Sequence, residues 1–145
     1  MRPIPRAAID LIRQFEGCSL KPYYCPARIL TIGYGHVIQK KESFGASITH
    51  GEAEDLLRRD LKNTAASVVR LINRPLTDNQ YSALISFTFN LGAGSLQRST
   101  LRQKCNREED EETAAEFLRW CRAGGRAIPG LLRRRKAEAA LYMAE

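Results

Sequence analysis

Between residues 18 and 48 the chain places Pro22, Pro26, Gly33, Gly35 and Gly45 among Tyr, Ile, Thr and Val. No long helix survives that spacing of breakers, so the stretch is confined to short strands joined by turns. The flanking sequence reads as helix. In Pro5–Glu16, Ile9, Ile12 and Phe15 recur at helical spacing with Leu11 beside them, and Gly17 supplies a C-terminal stop.

Thr49-His50-Gly51-Glu52 has the form of a capping box, in which a threonine oxygen and a glutamate three residues on each satisfy a free backbone amide. From there to about Ile72, residues Leu56, Leu57, Leu61, Val68 and Leu71 form the apolar stripe of a long helix that Pro75 ends. Thr77-Asp78-Asn79-Gln80 is a second box, opening a helix through Tyr81, Leu84, Ile85 and Phe87 to Gly92 or Gly94. Further helices are expected over 96–103, 110–122 and 130–143, with Gly124, Gly125 and Pro129 separating the last two. The expected fold class is α+β and mostly helical: a small antiparallel sheet joined by a long helix to a helical part. A cleft belongs at that junction.

At 145 residues the chain is long enough for one domain with a real core, and 43% hydrophobic with 27% charged residues is ordinary globular composition. No window approaches the ~18 apolar residues of a membrane span, so no stable membrane insertion is expected. The opening "MRPIPRAAIDLIRQF" has a positive start, but Asp10 and Arg13 interrupt an apolar stretch too short for a secretory signal; synthesis in a cytoplasm is the expectation. Cys18, Cys25, Cys105 and Cys121 are too few and too uneven for a disulfide framework, although Cys18 and Cys25 could meet across a tight hairpin. With no Cys-x-x-Cys pair, and no ligand spacing around His36 or His50, no metal and no cofactor is expected.

Net charge is +7, and residues 119–136, "RWCRAGGRAIPGLLRRRK", hold seven basic side chains and no acid. Such a stretch is either a solvated helix face or a surface for a polyanion: nucleic acid, anionic lipid or an acidic wall polymer. Nucleic acid is disfavoured, because no exposed aromatics are interleaved with the charges and no binding motif is present.

If Leu30–Ile38 is a single strand, Thr31 shares a face with Gly33, Gly35 and Val37. The glycines then leave that face bare for a ligand, or else mark a bulge or bend. Glu16 ends the first helix beside Phe15. A carboxyl group held against apolar side chains resists ionisation, which suits a general acid, whereas an exposed glutamate at a helix end is inert. Cys25, between Tyr24 and Pro26, is on a turn and reads either as a small buried hydrophobe or as a reactive thiol.

Glu16, eight residues, Cys25, five residues, Thr31 resembles the signature of the phage-type lysozymes, glycoside hydrolase family 24, which reads Glu, eight residues, Asp or in some members Cys, five residues, Thr. "FEG", "TIGYGH", "LTDNQYSALISFTFNLGAGSLQRSTL" and "EFLRWCRAGGRAIPGLLRRRKAEAALY" are also similar to that family's text, and together the resemblance spans roughly residues 8–143 in order.

The resemblance implies a lysozyme-like fold in a single domain over 1–145, with a sheet lobe at about 15–60 and a helical lobe at about 73–145 that includes the N-terminal helix 5–14. It implies hydrolysis of the bond between N-acetylmuramic acid and N-acetylglucosamine in bacterial peptidoglycan, by a monomer. Glu16 would be the general acid, with Thr31 holding the water on the opposite sugar face. Cys25 would replace the carboxylate that steers that water. A thiol has a reference pKa of ~8.5 against ~3.9 for Asp, so it could serve as a thiolate base, as a nucleophile, or only as a spacer. Lys21 and Arg28 would promote ionisation if they lie close. Water direction is the preferred reading, since Thr31 is retained to share it.

Val37, Phe89, Asn90 and Thr100 resemble substrate-binding positions of the cleft, although Phe89 could equally be core and Asn90 a cap. His36 is expected in a structural hydrogen bond, Trp120 in the core between the last two helices, and Arg133–Lys136 on a surface attracted to the anionic wall. The family's members are mostly endolysins, which implies export through a holin pore and action in the periplasm. A non-catalytic wall-binding homologue is the alternative.

Overall fold

A computed structural model describes residues 2–145. Helix α1 (Arg6–Phe15) leads into a three-stranded antiparallel sheet of β1 (Ser19–Tyr24), β2 (Leu30–Gly33) and β3 (His36–Val37), ordered β1-β2-β3. Helix α2 (His50–Leu71) leads from the sheet to α3 (Asp78–Leu91), α4 (Ala93–Arg98), α5 (Thr100–Asn106) and α6 (Asp110–Phe117). A two-stranded hairpin, β4 (Arg122–Ala123) and β5 (Arg126–Ala127), precedes the closing helix α7 (Pro129–Met143).

Both capping boxes form. Thr49 Oγ1 accepts from the Glu52 amide at 3.1 Å while Glu52 Oε1 accepts from the Thr49 amide at 3.0 Å, and Thr77 and Gln80 repeat the pattern at 3.1 and 3.0 Å. The first box starts α2, whose 22 residues carry the chain about 33 Å. The second starts α3, the core of the molecule. Every residue of α3 from Gln80 to Thr88 is buried, with α1, α2 and α7 packed around it. Its small polar residues Ser82, Ser86 and Thr88 keep the helix thin where neighbours press from several sides.

Two of the expected helices are cut short. Residues 96–103 are not one helix: Ser99 is extended (φ −82°, ψ 148°), ends α4, and accepts from the Arg102 amide at 3.0 Å to begin α5. Residues 110–122 end early, at Phe117, because Gly124 (φ 58°) and Gly125 (φ 79°) form a two-residue turn that pairs Arg122 with Ala127 and Ala123 with Arg126. Left-handed φ at both central positions suits a hairpin rather than a plain linker.

Of the two readings of Leu30–Ile38, a single strand or a bend at the glycines, the bend is the one observed. The chain reverses at Gly33 (φ 67°), Tyr34 and Gly35 (φ 86°), so the glycines serve a turn and not an open ligand face. A Cβ at Gly33 would meet Ala53 Cβ on α2 at 3.5 Å, an ordinary contact, so it is the positive φ that favours glycine there. Thr31 and Val37 nevertheless share a face, as direct cross-strand partners.

Candidate active site

Glu16 stands at the end of α1, and Cys25 and Thr31 stand at the reversal between β1 and β2. Glu16 caps α1, its amide donating to Ile12 O at 2.9 Å. The end of α1 is fixed by Arg13, which donates to the Tyr34 hydroxyl at 3.0 Å and to Glu54 at 3.2 Å, tying helix, β-turn and α2 together. The Glu16 carboxyl group is partly buried and faces a cleft of about 740 Å³ lined also by Phe15, Asn90, Leu131 and Arg134. Arg134 Nη1 donates to Glu16 Oε1 at 2.9 Å, leaving Oε2 without a protein partner among the described residues.

Arg134 belongs to a buried cluster on α7. Only 4% exposed, it also donates to Ser86 O at 3.2 Å and approaches Glu138 Oε2 at 3.4 Å, which accepts from Ser86 Oγ at 2.6 Å. Arg135 is fully buried, stacks over Phe87 at 5.3 Å and donates to Asn90 Oδ1. Its Nη1 lies 3.0 Å from Glu138 Oε1, too far off axis for a hydrogen bond. Burial pushes the Glu138 carboxyl group up and the Arg135 guanidinium down, and each partly offsets the other. The solvated basic face expected at Arg133–Lys136 is therefore half interior: Arg134 and Arg135 point inward, and Arg133 and Lys136 outward.

Cys25 opens the reversal between β1 and β2. Its carbonyl accepts from the Arg28 amide at 2.7 Å and its amide donates to Ile29 O at 3.0 Å, with Arg28 in a left-handed conformation (φ 61°). The Ile29 amide holds the thiol below its ordinary range, against a smaller opposing effect of desolvation, and the Ala27 amide and Thr31 hydroxyl help. The expected help from Lys21 and Arg28 side chains is not among these causes; the backbone does the work.

Thr31 is 4% exposed and its hydroxyl donates to Ile29 O at 2.8 Å, while also helping to lower the Cys25 thiol. Its single proton can go to the carbonyl when Cys25 is a thiol and to sulfur when it is a thiolate. Tyr23, Thr31 and Val37 are cross-strand partners in one row, with Tyr23 and Val37 exposed on either side. Cys18 and Cys25, which could have met across a tight hairpin, do not: β1 runs extended between them at about 3.3 Å per residue, and both thiols are free.

Of the remaining sequence-derived positions, Asn90 lines the cleft with Glu16, and Phe89 is half-buried against the core. Thr100 lines a separate groove of about 280 Å³ with Arg98, Glu116 and Trp120. Trp120 packs edge-on against Phe87 at 5.6 Å. His36 makes the structural bonds expected of it, to Asp60 at 2.9 Å and Glu42 at 2.9 Å. Sequence reasoning missed Arg134 as the partner of Glu16. The only signal was its i,i+4 spacing to Glu138 within an Ala- and Leu-rich helix, which favours a paired over a solvated arginine.

A small antiparallel sheet joined by a long helix to a helical bundle, with a carboxyl group at a helix end facing a cleft, defines the lysozyme-like class of folds. The chain belongs to the phage lysozyme family, whose profile matches residues 13–138. It is 40% identical over 143 residues to an endolysin of Acyrthosiphon pisum secondary endosymbiont phage 1, covering 96% of this chain and 97% of that one. It is 34% identical over 146 residues to the endolysin of Salmonella phage P22, covering 99% of each. Among solved structures, a P22 lysozyme mutant superimposes with a TM-score of 0.90 at 33% identity, over 99% of this chain and 100% of that one. The muramidase domain of SpmX from Asticaccaulis excentricus gives 0.89 at 33% identity, over the whole of both.

Proposed function

We propose that this protein is an endolysin-type muramidase that hydrolyses the β-1,4 bond between N-acetylmuramic acid and N-acetylglucosamine in peptidoglycan. The observation that carries the reading is Glu16, a partly buried carboxyl group turned into a cleft and gripped through one oxygen only. In the reaction, Glu16 Oε2 delivers its proton to the departing glycosidic oxygen. Water attacks the anomeric carbon from the other side and surrenders a proton to the Cys25 thiolate, with Thr31 holding the water or the sulfur. Glu16 finishes as a carboxylate and Cys25 as a thiol, and solvent returns the proton.

Asn90 supports the same site. Its oxygen is occupied by Arg135, which leaves its amide donors for the acetamido carbonyl of a bound sugar. The endolysin relatives support a role in lysis of the bacterial wall; synthesis inside the host, passage through a holin pore and action as a monomer in the periplasm complete the proposal. Clearing of a peptidoglycan suspension tests the reading. The wild type clears it and Glu16→Gln slows clearing by about 10²–10⁴-fold. Equal clearing by both would exclude Glu16 as the acid, and no clearing by either would leave a wall-binding homologue.

A further inference from the structure

Helices α3 and α7 pack against each other, and α7 brings three buried charges to that contact: Arg134, Arg135 and Glu138. Two cations and one anion do not balance. Buried ion pairs contribute little stability over well-packed apolar side chains, so what this cluster holds matters more than its burial. Arg134 Nε stands 3.4 Å from Glu138 Oε2, the oxygen that also accepts from Ser86 Oγ at 2.6 Å. Arg134 Nη2 donates to Ser86 O at 3.2 Å, which leaves Nη1 for Glu16 Oε1 at 2.9 Å. Arg135 Nη1 lies 3.0 Å from the other oxygen, Glu138 Oε1. Its Nε and Nη1 have no hydrogen-bond partner among the described residues, while Nη2 donates to Asn90 Oδ1. A fully buried guanidinium therefore directs its hydrogen bonding to a residue of the cleft. One carboxylate thus faces two arginines, and each arginine holds a different cleft residue.

We propose that Glu138 is a shared positioning residue: through Arg134 it orients the Glu16 carboxyl group, and through Arg135 it fixes which way the Asn90 amide faces. The inference rests on the muramidase reading above and gives a role to a side chain that touches neither substrate nor reacting atoms. A carboxyl group gripped at one oxygen presents the other to the glycosidic bond in a set direction. An amide has two unlike ends. With Oδ1 held by Arg135, the NH2 group of Asn90 is left for a sugar; without that hold either end can face the cleft. Ser86 meets only the Glu138 oxygen on the Arg134 side, so it belongs to the Glu16 branch alone.

The test compares Ser86→Ala, Glu138→Gln and Asn90→Ala on soluble peptidoglycan fragments, with the side-chain amide of Asn90 followed by NMR. Ser86→Ala loosens only the Arg134 branch. Its kcat should fall about tenfold, the scale of one hydrogen bond, with KM and the Asn90 signal unchanged. Glu138→Gln loosens both branches: kcat should fall at least as far, KM should rise about tenfold, and the Asn90 amide should lose order. Because the KM effect runs through Asn90, Glu138→Gln/Asn90→Ala should have no higher KM than Asn90→Ala. A cluster with a merely structural role would lower the thermal midpoint without separating kcat from KM. An unchanged kcat in Ser86→Ala, or kcat and KM altered together there, overturns the proposal even where Glu138→Gln does not fold. An ordered Asn90 amide in folded Glu138→Gln, or additive KM effects in the double variant, overturns it as well. A wild type that cuts no fragment removes the muramidase reading, and the Asn90 signal in Glu138→Gln then tests the positioning by itself.

Discussion

A thiol can take the part of an acid in glycoside hydrolysis only where its surroundings stabilise the sulfur anion. At Cys25 the backbone does this, through the Ile29 and Ala27 amides with the Thr31 hydroxyl. If the thiolate is the working form, the rate of peptidoglycan clearing should rise with pH along a limb centred below the ordinary thiol value of ~8.5. Cys25→Asp should move that limb several pH units towards acid while keeping activity. Cys25→Ala should remove it and lower the rate about 10²-fold or more. Full activity after selective alkylation of Cys25 would eliminate both the base and the nucleophile. The turn that carries these amides depends on Arg28 in a left-handed conformation, a state that costs a non-glycine residue on the order of 1 kcal/mol. Sequence spacing singled out Glu16, Cys25 and Thr31, and the structure sets Glu16 at the cleft and Cys25 and Thr31 at the β1–β2 reversal. The spacing could not show that the Ile29 and Ala27 amides, rather than Lys21 and Arg28, lower the thiol, since that depends on a turn conformation that arginine does not advertise.

At the scale of elements, local signals were legible and long-range ones were not. The capping boxes at Thr49 and Thr77 form as read, since four consecutive residues contain the whole interaction. Thr49→Ala should cost about 1 kcal/mol in denaturant unfolding, because Glu52 then loses its reciprocal partner. The break at Ser99 and the hairpin around Gly124–Gly125 were passed over. Serine inside an apolar-periodic run looks like a solvent-facing helix position until its buried cap is seen. Adjacent glycines suit a linker as well as a turn until the flanking residues are paired. Gly33→Ala should cost about 1–2 kcal/mol, because alanine at φ 67° is strained even where the 3.5 Å contact with Ala53 can be accommodated.

Across the whole molecule, stability is divided between an apolar core around α3 and two charged clusters. Burial opposes the charge on His36, but Glu42 and Asp60 outweigh it and raise its pKa, while Glu42 is depressed by the Gln39 amide and by His36. A raised histidine contributes stability that is complete below its unfolded value of ~6.5 and is lost as pH rises through the folded value; the depressed Glu42 contribution is lost as pH falls. The thermal midpoint should therefore fall as pH rises through the folded pKa of His36. His36→Asn should cost about 2–3 kcal/mol near pH 6 and less at higher pH, measured by unfolding at each pH. The second cluster, Arg134, Arg135 and Glu138, was invisible in sequence, where buried and solvated arginines look alike. Only the depth of α7 against α3 distinguishes them.

The contact from Arg134 to Glu16 spans 118 positions of the chain. A nascent polypeptide carries Glu16 well before it gains the guanidinium, which arrives only when Pro129–Met143 has emerged and docked. A reaction that needs this grip on Glu16 must wait until Pro129–Met143 has docked. Chains stalled on the ribosome before Pro129 should leave peptidoglycan uncut, and clearing by such stalled chains would show that the grip on Glu16 is dispensable.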